Sequence, residues 1–409
     1  MQKYYIKGFI VKLLGGIFFA LLVYYYYGVG DTMSYFRDSI RLRELLSEGK
    51  ISFYQILTYD YEYFHDKFDL LGSVTESGFV VTKISFLLSY LSFSRFLIVT
   101  ILASAVFYVG MFRLFRTFVA IVPTHPRFIA WIVLYFPSIA IYGSGIFKEP
   151  IAISALGWLI YYLHKSFIQK KFSFFYIIYL VAAILIIFIV KPYIIIALLI
   201  PFLILIILSL VEKVKSPLFK TLTLPILVVL IVALYSIFSG SISNILGGFA
   251  VDKLGENIKE LQKSYGSMNE EDAGSNFDIG NIEPNLSSLI SKLPAGFVAT
   301  LYRPFIWETR KIIMFFSALE SLFILIFTLY VLKRTGPIFF IRQIFSERFV
   351  AFFIFYSIIF AGIVGVSTMN FGTLARYRIP VIPFYLMGLL LIMNNHKSND
   401  VKIKALVTK

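Results

Sequence analysis

The sequence predicts an all-α polytopic membrane protein with about ten transmembrane helices and two long outer loops that carry interfacial helices. Three observations support that class. Of 409 residues, 59% are hydrophobic, 18% aromatic and only 15% charged, with a mean hydropathy of +0.82, more apolar than a water-soluble domain keeps. Apolar stretches of roughly 18 residues or more recur along the chain, each long enough as helix to cross about 30 Å of hydrocarbon. A membrane barrel would instead show alternating segments of roughly ten residues. The inner turns are basic and the two long outer loops are acidic on balance, as fixed membrane sidedness requires.

The first stretch, Gly8 to Gly28, follows Lys3 and Lys7 and ends in Tyr24–Tyr27, residues that favour the membrane–water boundary. It lacks a small-residue cleavage site and reads as a retained anchor. Residues 29–95 form the first outer loop. Within it, Ser34–Leu46 has a helical period, and Phe79–Phe93, with Lys83 inside, reads as amphipathic and interfacial. Six further spans follow at 96–114, 128–144, 150–163, 172–190, 193–211 and 221–239. The second outer loop, 240–310, holds an expected surface helix at Asp252–Ser264 and a Gly-, Asn-, Ser- and acid-rich tract at Tyr265–Pro284, expected as a mobile lid or plain disorder. Spans at 312–331, 349–368 and 379–394 complete a single membrane domain, 1–409, with both termini cytoplasmic.

Charge tests this topology independently, since hydropathy alone located the spans. Inner segments hold nineteen Lys and Arg against three acids, a net of +16, whereas residues 29–77 hold five cations against nine acids and residues 240–310 six against nine. That asymmetry is the positive-inside rule, and it accounts for the overall charge of +15 without a nucleic-acid partner. Cysteine is absent, and the four histidines, His65, His125, His164 and His396, are far apart in sequence. Disulfides, thiol catalysis and zinc or haem ligation therefore have almost no material. A divalent cation, if one is used, would rest on carboxylates.

Polar groups gather at the outer membrane boundary. Asp31, between Gly30 and Thr32, is either a carboxylate facing a cavity or the N-cap of the Ser34 segment. Lys148 and Glu149 precede Pro150 in an expected outer hairpin, where a lysine could hold phosphate and a glutamate take a proton, or the two could form a solvated turn pair. Arg303 and Glu308, in Arg303-Pro304-Phe305-Ile306-Trp307-Glu308, fit either an aromatic interfacial belt or an Arg fork on a lipid phosphate. Arg376 and Arg378 stand in a short outer turn, against the orientation bias, and suggest anion binding. Glu320 lies near the middle of an apolar span, where an unpaired charge costs about 2.5–3.5 kcal/mol. It must be protonated, paired or facing a wet cavity.

A first helix leading into an acidic residue, a long first outer loop with interfacial helices, and many spans with basic inner turns resemble the GT-C type of membrane glycosyltransferase. The stretches Arg303–Glu308 and Asn370–Arg378 look similar to segments of O-antigen-polymerase-like bacterial membrane proteins. The resemblance implies a bacterial inner-membrane enzyme of the cell envelope, working at the periplasmic face in surface polysaccharide biosynthesis. It would use a polyprenyl-phosphate-linked saccharide and a saccharide acceptor, with membrane lipid around it. On this reading Asp31 is the catalytic base, and Arg303, Arg376, Arg378, Lys148, Glu149 and Glu308 bind substrate. The chain departs from the type in having no paired-acid motif beside Asp31. The rival readings are a non-catalytic flippase or transporter of the same glycolipid and a membrane assembly subunit.

Overall fold

The computed structural model describes residues 1–28, 30–68, 70, 75–211, 276–277, 280 and 286–407. The expected span at 221–239, the helix Asp252–Ser264 and nearly all of the tract Tyr265–Pro284 lie outside these residues. The fold is helical, with no strand among the described residues and one isolated antiparallel bridge, Asn276 to Asn370. The chain divides into two compact units, Met1–Lys191 and Pro192–Lys409.

The first unit contains α1 (Gln2–Leu22), α2 (Asp31–Ser47), α3 (Phe53–Thr58), α4 (Tyr61–Phe68), α5 (Glu76–Leu91), α6 (Phe96–Ile121), α7 (Pro126–Ala130), α8 (Pro137–Tyr142), α9 (Lys148–Leu163) and α10 (Phe174–Val190). Wide π-type turns extend α1 over Val23–Tyr27, α7 over Trp131–Tyr135 and α9 over His164–Ile168. Helix α6 packs against both α1 and α9 through small residues. A Cβ on Gly157 would stand 2.0 Å from the carbonyl oxygen of Gly110, so α6 and α9 touch backbone to backbone.

Helices α2 to α5 fold the first loop around its own apolar core of Leu42, Leu45, Ile51, Ile56, Phe64, Leu70, Phe79 and Phe86. Ser52 caps α3 in a reciprocal box with Gln55 (3.2 and 2.7 Å), and Thr75 caps α5 by accepting from the Gly78 amide at 3.2 Å. Arg43 ties α2 to the end of α5 by donating to the Ser89 carbonyl (2.9 Å) and Ser94 Oγ (2.6 Å). Lys83 bonds the Tyr59 carbonyl at 2.9 Å; burial holds its ammonium below the ordinary lysine range, against the opposing pull of Glu76 and Asp60.

The second unit contains α11 (Tyr193–Val211), α12 (Leu286–Tyr302), α13 (Ile312–Thr335), α14 (Pro337–Ser346), α15 (Arg348–Ser367), α16 (Phe371–Tyr377) and α17 (Ile382–Val407). Its tightest seam joins α12 and α15. A Cβ on Gly365 would lie 2.1 Å from the Gly296 carbonyl oxygen, and Thr300 Oγ1 donates to the Ala361 carbonyl at 2.7 Å.

Five helices among the described residues are long and apolar enough to cross a membrane: Gln2–Tyr26, Phe96–Ile121, Lys148–Ile168, Ile312–Thr335 and Arg348–Ser367. The bent pair α16 and α17, at 63°, makes a sixth if it is one span. The protein is a multi-pass helical membrane protein. The short span expected at 150–163 is in fact 21 residues, because its helix starts at Lys148 and the π turn carries it to Ile168. The stretch expected as one span at 128–144 is divided, since Phe136 takes an extended ψ of 126° before Pro137. Helix α12 lies within the segment read as the second loop. Its serines, Lys292 and Pro294 keep it below the hydropathy of a span, yet one face is buried.

Candidate functional site

Each unit builds one polar cluster. In the first, the turn after α8 is wired to α1 and α6. Lys12, only 1% exposed in the middle of α1, donates from Nζ to the Gly143 carbonyl and lies 2.8 Å from Met111 Sδ. Ser144 Oγ donates to the Ala140 carbonyl (2.6 Å), and the Gly145 amide donates to Ser104 Oγ at 3.0 Å. Gly145, at φ 94°, turns the chain so that Phe147 can begin α9.

That wiring places Lys148 and Glu149 in the first turn of α9, and not in a hairpin tip as expected. Lys148 Nζ donates to Thr75 Oγ1 at 3.3 Å. Glu149 is buried and forms an ion pair at 2.8 Å with Lys191, itself buried at the end of α10. Lys191 and Lys12 were not singled out in the sequence. Lys191 did carry a signal, being a lone cation in the two-residue link between two fully apolar helices.

Asp31 is exposed and opens α2, with Gly30 as the cap residue. The helix therefore starts three residues earlier than Ser34, and Asp31 contributes to its N-terminus through the helix dipole.

The cluster of the second unit is larger. Arg303 Nε donates to both carboxylate oxygens of Glu308, at 3.0 and 3.1 Å, and its Nη2 also reaches Glu308. Glu308 further accepts the Phe305 amide at 2.7 Å. The guanidinium lies 5.2 Å from the ring centre of Phe277 and 5.3 Å from that of Phe371, and those two rings stack at 4.7 Å. Phe371 opens α16, whose cap Asn370 accepts the Gly372 and Thr373 amides and donates to Asn276 Oδ1 at 3.1 Å. Arg303 and Glu308 keep side-chain exposures of 22% and 19%. Beyond them Trp307, 82% exposed, stacks on Phe305 at 4.9 Å.

Arg378, at the end of α16, has no exposed surface. Its Nη2 donates to Glu320 (3.1 Å) and to Ser317 O and Oγ (both 3.1 Å), while Nη1 donates to Ser321 Oγ (2.6 Å) and to the Arg303 carbonyl (3.3 Å). Glu320 thus has a named partner, and Arg378 supports the Arg303 backbone from beneath. Arg376 is half-buried on the same helix as Phe371. The structure brings Arg303, Glu308, Arg378 and Glu320 into one network, with Arg376 on its adjoining helix. Lys148 and Glu149 belong to the other unit's cluster.

Among the described residues no three His, Asp or Glu side chains gather as a metal ion would need. No family profile, curated protein or solved structure matches this chain.

Proposed function

We propose that the protein is a membrane glycosyltransferase or repeat-unit polymerase that works on a polyprenyl-phosphate-linked saccharide in bacterial cell-surface polysaccharide synthesis. The reading includes ten spans, cytoplasmic termini and a site at the periplasmic boundary. The observation that carries it is Arg303: a partly exposed guanidinium held in one plane by a carboxylate and two stacked rings, beside an exposed tryptophan. A planar fork matches phosphate oxygens, and tryptophan favours headgroup depth.

In the reaction the carrier phosphate takes the place of Glu308 on Arg303. The bond between the anomeric carbon and the phosphate oxygen breaks, and the electron pair leaves with the carrier phosphate, stabilised by Arg303 and Arg376. The acceptor hydroxyl oxygen bonds to the same carbon, and its proton passes to a carboxylate. Glu308, displaced from Arg303, is the carboxylate of this cluster for that role, and Asp31 is the base that the sequence resemblance implies. Arg378 and Glu320 act as positioning residues through the Arg303 carbonyl.

The test is transfer of labelled saccharide from a polyprenyl diphosphate to acceptor by the purified protein in nanodiscs. Arg303→Lys lowers turnover roughly 10- to 100-fold, the scale of a charged hydrogen bond. Whichever of Glu308→Gln and Asp31→Asn abolishes transfer identifies the base. Absence of transfer by the wild-type protein overturns the reading. A transporter is the second reading, and the buried Glu149–Lys191 pair at the ends of α9 and α10 favours it, since buried ionisable pairs in a membrane protein mark ion and substrate routes. Glycolipid translocation in proteoliposomes without bond transfer, lost in Glu149→Gln, would establish that alternative.

A further inference from the structure

Helix α14 has ten residues and joins α13 to α15, both long enough to span. At about 1.5 Å per residue it rises only about 15 Å, half the hydrocarbon thickness, so it cannot cross. Its ends are fixed. Gly336, at φ 78°, ends α13 and Pro337 starts α14. Glu347 then breaks the helix and caps α15 by accepting the Val350 amide at 2.7 Å.

One face of α14 is docked. Gln343 accepts a hydrogen bond from Asn395 at 2.9 Å, and the Phe339 ring meets His396 edge-on at 5.0 Å. The other face is exposed: Ile338, Ile341 and Phe345 are 84%, 56% and 66% exposed, and Phe345 meets the Phe355 ring edge-on at 5.9 Å. These residues, at i, i+3 and i+7, form one stripe, and exposed Arg342 lies along it. Across residues 333–348 the cations are Lys333, Arg334, Arg342 and Arg348, and the sole acid is Glu347. An apolar stripe with a basic border, at the end of two spans, matches the boundary between acyl chains and acidic headgroups.

We infer that α14 lies in the bilayer surface and binds acidic phospholipid, with Ile338, Ile341 and Phe345 among the upper acyl carbons and the basic residues at the phosphates. Arg342 reaches out of the stripe to the headgroups by its long stem. This surface is separate from the Arg303 cluster and does not depend on the proposed activity.

The chain contains no cysteine, so Ile341→Cys creates a single attachment point for an environment-sensitive fluorophore in the full-length protein. Nanodiscs would contain phosphatidylcholine plus a nitroxide lipid labelled near the top of its acyl chain. The expected result is quenching about two-fold or more stronger when phosphatidylglycerol carries the nitroxide than when phosphatidylcholine does at the same fraction. That preference disappears in a Lys333→Gln/Arg334→Gln/Arg342→Gln background. Equal quenching by the two lipids overturns the acidic-lipid assignment. Quenching by aqueous iodide with none by lipid places the stripe in water, and exclusion of both quenchers means that protein covers it; either overturns the inference. Ile338→Cys, on the same stripe and 84% exposed, supplies the same readout if Ile341→Cys does not fold.

Discussion

Glu320 and Arg378 pose separate puzzles in the sequence: an acid in the middle of a span, and an arginine on the acid-rich side of the membrane. Each answers the other, across 58 positions of chain. The anomaly of both residues was legible, because charge in an apolar run is visible one residue at a time. Their pairing was not, since it depends on how α13 and α16 lie together. Lys191 and Glu149 repeat the lesson 42 positions apart. Truncating one member of such a pair strands a buried charge and costs about 3–5 kcal/mol, whereas removing both with apolar residues of similar size is close to neutral. Arg378→Met and Glu320→Met each therefore lower the thermal midpoint of the detergent-solubilised protein, and E320M/R378M recovers most of the loss. A double variant as unstable as the sum of the singles would show that the two side chains are not coupled.

At the scale of the helix, what hydropathy finds is an apolar surface, and what it misses is an apolar interface made by small residues. Helices α1, α6, α13 and α15 were legible because they are apolar over a full span, and α9 only in part, because Lys148 and Glu149 open it and the π turn that lengthens it holds His164 and Lys165. Helix α12 was not, because its contact with α15 is made by Gly296 and Ala299 and the hydroxyl of Thr300, none of which raises hydropathy much. The break at Phe136-Pro137 follows from proline's effect on its predecessor, while the π turns at Trp131–Tyr135 and His164–Ile168 leave no comparable mark. The α12–α15 seam tolerates no added carbon: Gly365→Ala should cost about 1–3 kcal/mol, the usual scale of overpacking. Differential scanning of the purified variant measures it, and an unchanged midpoint would mean that the two helices do not touch at this point.

For the whole molecule, composition alone defined a multi-pass membrane protein, and the charge asymmetry predicts how it is threaded. Since the chain lacks cysteine, Lys50→Cys and Lys171→Cys each offer one exposed thiol. A membrane-impermeant maleimide should label the first in intact cells and the second only after permeabilisation; the opposite pattern would invert the topology. The candidate site was less legible than the fold. Arg303 and Glu308 stand five residues apart and could be paired by eye, but the aromatic seat from Phe277 and Phe371 comes from segments far away in sequence. The separate core of the first loop bears on how the protein is made. All eight of its apolar residues fall between Leu42 and Phe86, so its closure needs no residue that the ribosome delivers later. Closing so short a chain costs little entropy and is fast beside synthesis at about 5–20 residues per second. This module can therefore fold while the second unit is still being translated, hiding its phenylalanines from solvent.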